Sequence, residues 1–341
     1  MKSPLSVKTS KTFSSSNIGE LFVPIQADLK EIDRYFEEKL TSDAGFLKDV
    51  IKYLMLSGGK RLRPSLALLC GYISSKNFSL NPKHYTLARL SELIHTASLV
   101  HDDFIDQADS RRGKETGHLQ FGARVAVIAG DYLFAQASIS LGELENTEIV
   151  KIYAEVLSRL CAGEIAQAQA RFDLKAVSLE SYTVKSTWKT ASLFAAAARS
   201  AALLNQAEPL VVEAMHQYGL NLGLAFQVID DLIDVTSSSS ELGKPAMSDL
   251  ANGIITAPVL YALQDPTHRD KMINLIGSAF PNGEGLSEAQ EIILNSSAVT
   301  ETQKLARSYG ANALTSLHHF SDSPYKRELI DLVDFVLERK S

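Results

Sequence analysis

The 341-residue chain holds only two cysteines, Cys70 and Cys161. Both lie in apolar helical patterns, and no Cys or His cluster has metal-ligand spacing. A disulfide framework and a thiolate metal site are therefore excluded, and two buried, reduced thiols are expected. Ten prolines and 19 glycines are too few for a collagen-like or low-complexity chain. An excess of positive charge is also missing: 34 Lys and Arg against 40 Asp and Glu leave a net charge of −6. Its long-range field repels polyanions, so no nucleic-acid partner is expected. No stretch approaches the roughly 20 uninterrupted apolar residues that cross a bilayer, so no transmembrane segment is expected. What is plentiful is apolar material, 45% of the residues against 22% charged. That is enough for a sizeable core and excludes disorder as the main state.

Residues 1–19 carry six Ser, three Lys and no acid. Two readings stay open, the remnant of an organelle transit peptide and a loose, disordered tail. From residue 20 to 341 apolar residues recur at helical spacing and alternating strand-like runs are scarce. Leu87, Leu90, Ile94 and Ala97 form one stripe; Val150, Tyr153, Leu157 and Leu160 another; Leu329, Leu332, Val333 and Val336 a third. Breakers at Ser57-Gly58-Gly59, Ser79 to Pro82, Gly113 to Gly117, Ser237 to Pro245, Pro266 and Pro281 to Gly285 punctuate these runs without dividing the chain. The expected fold is all-α, a single helical domain. The alanine-rich stretch Ala191 to Leu204 favours helix and close approach of its neighbours, so it is expected in the core.

Two short strings carry the chemistry. Asp102-Asp103-Phe104-Ile105-Asp106 has the form D-D-x-x-D, and Asp230-Asp231-Leu232-Ile233-Asp234 repeats it. On a helix, residues four apart share a face, so Asp102 pairs with Asp106 and Asp230 with Asp234, each pair flanked by Asp103 or Asp231. Three carboxylates on one turn repel one another unless a cation neutralises them. A solvated acidic face is the bland alternative, but Leu93, Ile94, Leu99 and Val100 precede the first cluster and Leu222 to Ile229 the second, and acids beside a core are rarely left unpaired. All-carboxylate ligation suits a hard cation such as Mg²⁺, which bridges protein oxygens to substrate phosphates. Positive strings accompany the acids: Lys60-Arg61-Leu62-Arg63 after two glycines, and Arg111-Arg112-Gly113-Lys114. Arg forks and Lys point charges both take phosphate oxygens, so a phosphate-bearing substrate is expected.

The motifs G-G-K-R-L-R-P, I-H-T-A-S-L-V-H-D-D-F-I-D, R-R-G-K, W-K-T-A and F-Q-V-I-D-D-L-I-D followed by G-K-P resemble the trans-prenyl diphosphate synthase family, from about Phe22 to Arg339. Among its subgroups the chain is most similar to long-chain, solanesyl diphosphate synthase-type enzymes. The resemblance implies long helices around a central cavity, a homodimer, and Mg²⁺ at the two acid clusters. Asp102, Asp106 and Asp230 would bind the metal most directly, with Asp103, Asp231 and Asp234 supporting or sharing the coordination. Lys60, Arg63, His95 and Arg112 match positions that hold isopentenyl diphosphate. Arg111, Lys189, Thr190, Gln227 and Lys244 match those that hold the allylic diphosphate. By helix geometry His95 lies two turns before Asp102 on the same face. Trp188, the single tryptophan, is expected to pack rather than react.

Product length is expected to depend on Ala97 and Ser98, about one turn deeper than Asp102. Short-chain members place a bulky aromatic there, so two small residues imply a long all-trans product. A floor farther down, on the helix carrying Val127 to Phe134, would set its final length. The implied role is supply of quinone side chains, with geranylgeranyl diphosphate synthesis as the alternative. A class I terpene cyclase is disfavoured because its second metal motif is a mixed Asn/Ser/Glu pattern. A non-catalytic heteromer subunit is disfavoured because no polar position is missing. The compartment stays open between cytoplasm and organelle (plastid or mitochondrion).

Overall fold

The structure of the protein is a computed structural model that describes residues 21–40, 45, 47–56, 58–111, 113–237 and 246–339. The tail over residues 1–19, with both readings of it, lies outside them. Helices carry nearly all of the described chain. In order they are α1 (Gln26–Arg34), α2 (Leu47–Leu56), α3 (Leu62–Ser74), α4 (Pro82–Ile105), α5 (Gly117–Phe121), α6 (Ala123–Glu143), α7 (Thr147–Gln169), α8 (Leu179–Ser186), α9 (Ser192–Leu204) and α10 (Pro209–Thr236). Shorter helices beyond residue 246 lead to two longer ones, Ala298–Ser316 and Pro324–Glu338. Among the described residues the only strands form a minute hairpin, Ser110–Arg111 against Lys114–Glu115, at the breaker around Gly113.

Local chemistry sets where α4 begins. The Asn81 side chain accepts the Lys83 backbone N–H at 3.0 Å, and Pro82 opens the helix where no donor is needed. The Asn81 N–H donates to His84 Nδ1 at 3.1 Å, so the ring proton sits on Nε2, which donates to the Ala201 carbonyl of α9 at 3.1 Å. This buried imidazole ties the first turn of α4 to the last turn of α9, and burial lowers its pKa.

The alanine-rich α9 packs tightly against α10, as expected. A Cβ on Gly219 of α10 would stand 2.5 Å from the Phe194 carbonyl oxygen, and one on Gly223 would stand 2.6 Å from Ala191 Cα. These contacts make α9 antiparallel to α10, and the His84–Ala201 contact makes it antiparallel to α4 as well. The helices α4 and α10 therefore run in the same direction along α9, and their C-terminal ends, with the two aspartate clusters, emerge at one end of the bundle. The α7 helix runs parallel to α4: the buried Ser91 and Tyr153 hydroxyls meet at 2.8 Å across a separation of 62 residues, the same offset that puts Glu164 level with Asp102. The α6 helix is antiparallel to α4, because His101 Nε2 meets the Val127 carbonyl at 3.2 Å while Lys83 Nζ meets that of Leu144 at 2.9 Å.

The core has two parts. One gathers α1 to α4, α6, α7, α9, the first part of α10 and the Pro324–Glu338 helix. The other surrounds Val228 to Val235 at the end of α10 with residues from Met247 to Ala306. The α10 helix passes through both. Two expectations change here. Cys70 is buried, but Cys161 is exposed, one position past the inward-turned Leu160 and on the outer side of α7 with Ile165. Val150 likewise faces out, so the α7 stripe begins at Tyr153. The α6 helix is long and apolar enough to cross a membrane by length and composition alone, yet Arg124 and Asp131 interrupt its apolar run and Ala129 and Leu133 are buried in the core.

Candidate active site

The first aspartate cluster closes α4. Asp103 is buried and accepts a fork from Arg111, whose Nε lies 2.7 and 2.9 Å from its two oxygens. Among the described residues no side chain donates a hydrogen bond to the Asp102 carboxylate, while its carbonyl takes the Asp106 N–H at 2.8 Å. Burial, and after it the negative charge of Glu164, pushes the Asp102 pKa up to about 7 against the opposing pull of Lys189. Asp106 is half-buried and pairs with Arg171 at 3.3 Å; burial raises its pKa too.

The second cluster closes α10 in a similar graded way. Asp231 is buried, accepts the Tyr182 hydroxyl at 2.5 Å and the Gln227 amide at 2.7 Å, and is pushed up to about 6 by burial. Asp234 is also buried, taking the Ser248 hydroxyl at 2.7 Å and the Asp249 N–H at 3.2 Å. Asp230 is exposed and pairs with Arg339 at 3.0 Å, whose guanidinium also lies 3.8 Å above the Phe226 ring. In each cluster, then, the protein ties down the buried acids and leaves Asp102, Asp106 and Asp230 nearer to solvent. The clusters share a field: Arg111, forked on Asp103, is held charged by Asp102 and Asp230 as well.

Between them sits a π-helical turn, Thr187–Ala191, joining α8 to α9. Such turns recur at functional sites. Lys189 on this turn forms an ion pair with Glu164 of α7. Thr190 donates to Gln227 at 2.5 Å, which continues the chain of hydrogen bonds to Asp231. The Trp188 side chain packs beside Gly163, with its Cβ 3.5 Å from where a Cβ on that glycine would stand.

Of the expected isopentenyl diphosphate residues, Lys60, Arg63 and His95 are described. Lys60 Nζ lies 4.9 Å from the Phe335 ring centre, Arg63 is buried with its guanidinium 4.6 Å from the Phe194 ring centre, and His95 borders a cleft with Asp103 and Arg111. Arg112 and Lys244 lie outside the described residues. Arg61, grouped by sequence with its phosphate-seeking neighbours, does something else. It has a left-handed backbone at φ 48 and spends its guanidinium on Asp33 at 3.0 Å, Glu92 at 2.8 Å and the Met55 carbonyl at 2.9 Å. Ala97 is fully buried; Ser98 is half-buried, with its hydroxyl on the His95 carbonyl at 2.9 Å. The antiparallel course of α6 puts Val127 level with His101 near the mouth, so a floor deeper in the bundle would fall later on that helix, toward Leu141.

Sequence reasoning missed Glu164, Tyr182, Lys185, Arg171 and Arg339. A signal existed for two of them: Tyr182, Lys185 and Lys189 recur at helical spacing on one face. Burial lowers the Lys185 pKa, while Asp231 opposes that shift. The donors suit a hard divalent cation, being carboxylates alone. Among the described residues no three acids or histidines converge into a complete cage. A cation here would complete its shell with water in the free enzyme and with phosphate oxygens once a substrate is bound.

An all-helical bundle that ends two parallel helices in facing aspartate clusters, with lysines and arginines between them, defines an enzyme class that handles organic diphosphates. The comparisons name the family. Residues 45–293 match the family described as polyprenyl synthetase. The chain is 40% identical over 326 residues to solanesyl-diphosphate synthase 2, chloroplastic, of Oryza sativa, covering 95% of this chain and 80% of that one. It is 40% identical to a prenyl transferase of Synechocystis, over 94% of this chain and 98% of the other. A crystal structure of polyprenyl synthase from Caulobacter crescentus, complexed with calcium and isoprenyl diphosphate, superposes with a TM-score of 0.88 at 32% identity, covering 98% of this chain and all (100%) of that one. The chain belongs to the polyprenyl synthetase family and is a prenyltransferase.

Proposed function

We propose that this protein condenses isopentenyl diphosphate with an allylic diphosphate, repeatedly, to give a long-chain, solanesyl-like all-trans polyprenyl diphosphate, with Mg²⁺ as the cofactor. The observation that carries this reading is the pair of graded aspartate clusters at one end of the bundle, with Lys189 and Arg111 between them. Asp102, Asp106 and Asp230 would hold the metal, with Asp103, Asp231 and Asp234 fixed in support. When bound, Mg²⁺ supplies the positive charge that turns the allylic diphosphate into a leaving group. Lys189, Thr190, Gln227, Arg111 and Lys244 hold that diphosphate. Lys60, Arg63, His95 and Arg112 hold isopentenyl diphosphate. The apolar helix faces below the acids exclude water, which would otherwise capture an allylic cation. No side chain is needed as the base, since the departing diphosphate can take the proton.

The small side chains of Ala97 and Ser98, about one turn before Asp102 on α4, support a long product. Exposed apolar side chains at Ile128 and Ile139 of α6 and at Val150 and Ile165 of α7 support a homodimer. The chloroplastic name of the rice relative and the cyanobacterial relative together support an organellar or cytoplasmic enzyme. We treat residues 20–341 as one catalytic unit. The test is the purified protein alone with Mg²⁺ and an allylic primer. Product should form only when isopentenyl diphosphate is added and should vanish in Asp102→Ala. Product from the primer alone would mean a cyclase, and no product at all a non-catalytic subunit.

A further inference from the structure

Lys189 reaches the site through a slot cut for it. The π-turn Thr187–Ala191 projects its side chain toward α7, and Gly163 there makes room, since a Cβ would come within 2.9 Å of Lys189 Cγ. The next residue, Glu164, takes the ammonium, and both side chains are only about a fifth exposed, 21% and 22%. The parallel register of α7 and α4 sets Glu164 level with Asp102. Its charge acts on both Asp102 and Asp106, as does that of Lys189 with the opposite sign.

We propose that Glu164 is a positioning residue: it holds Lys189 beside the first aspartate cluster in the empty enzyme, and adds its own negative charge to that cluster when the lysine moves to the substrate diphosphate. This inference rests on the reading of Asp102 and Asp106 as ligands of a divalent cation. While paired, Glu164 and Lys189 present no net charge to the cluster. A diphosphate offers the ammonium several anionic oxygens in place of two, so it can draw Lys189 away. Glu164 is then left as an unpaired carboxylate next to Asp102, and the cluster binds a cation more tightly at the moment the substrate is present. The other cations facing this cluster, Arg111 and Arg171, are already paired with Asp103 and Asp106, and Lys185 acts on Glu164 only through its field.

The two partners of the pair should therefore act on cation affinity with opposite signs. Calorimetric titration with Mn²⁺, without diphosphate, is run on the wild type and on Glu164→Gln, Lys189→Gln and the double variant, each checked for helical content. Glu164→Gln leaves the lysine charge uncompensated and should weaken Mn²⁺ binding by about tenfold, the scale of one unit charge acting over several ångströms near a protein surface. Lys189→Gln should tighten binding by a similar factor, and the double variant should return to within about twofold of the wild type. Glu164→Asp, which keeps the charge, should stay close to the wild type and serves with Lys189→Gln if Glu164→Gln fails to fold. In steady state Glu164→Gln should raise KM for the allylic substrate more than for isopentenyl diphosphate. Shifts of the same sign in both single variants, or no shift in either, overturn the proposal. If Asp102→Asn leaves wild-type Mn²⁺ affinity unchanged, the metal reading falls first, and the proposal with it.

Discussion

Gly223→Ala tests how helix packing sets the site. Alanine is better than glycine in a helix interior by about 1 kcal/mol, so on propensity alone the variant would be stabilised. The structure argues the reverse. The new Cβ would lie 2.6 Å from Ala191 Cα, 3.0 Å from Ala191 Cβ and 3.2 Å from Phe194 Cβ. The first of these is backbone and cannot rotate away. Reaching an ordinary contact of 3.4 Å requires α9 and α10 to separate by 3.4 − 2.6 = 0.8 Å. Overpacking of this kind costs about 1–3 kcal/mol, so after the gain in propensity is subtracted the variant should be less stable by up to about 2 kcal/mol. One turn along, the Thr190–Gln227 bond of 2.5 Å would open to about 3.3 Å, beyond the range of a strong O–H···O bond. Losing one such bond costs about 0.5–1.5 kcal/mol, so KM for the allylic substrate should rise several-fold while that for isopentenyl diphosphate changes less. Thermal unfolding and initial rates with each substrate varied in turn measure both effects. A melting temperature equal to or above the wild type's, with unchanged KM, would refute the reasoning.

Other expectations follow from particular contacts. Arg61→Ala strands the buried Glu92 carboxylate and should destabilise the fold by about 3–5 kcal/mol in chemical denaturation. Lys60→Ala should instead raise KM for isopentenyl diphosphate with little change in stability. His84 has a lowered folded-state pKa, so the unfolded chain binds its proton first. Its contribution to stability is present above about pH 6.5 and is lost as the pH falls below that value, and the fall in melting temperature between about pH 6.5 and 5 should be shallower in His84→Asn. Ser98→Phe should shorten the products seen by chromatography. Ala97→Phe is the poorer probe, because Ala97 is fully buried and the larger ring would disturb the core first.

The all-helical fold was legible because periodicity and breakers are local signals, and Asn81-Pro82 or the alanines of α9 act within a few residues of themselves. The aspartate clusters were legible for the same reason, as a spacing on one helical turn. What could not be read was pairing between distant segments. Lys60, Arg61 and Arg63 look alike as a string, yet a left-handed backbone at Arg61 turns it toward Asp33 and Glu92. Glu164 stands in an unremarkable stretch of α7 and gains meaning only from the parallel register that sets it beside Asp102. Arg339 meets Asp230 across 109 residues. Cys161 was misjudged because its apolar neighbours mark α7 as a packed helix without saying which side of it faces the core.

The central claim is that the two clusters drive repeated elongation into a long tail. The most direct measurement is the product-length profile of the purified protein with Mg²⁺, labelled isopentenyl diphosphate and farnesyl diphosphate as primer. Products longer than geranylgeranyl diphosphate, all lost in Asp102→Ala, are predicted. A profile that stops at farnesyl or geranylgeranyl diphosphate, or one that survives Asp102→Ala, would contradict it.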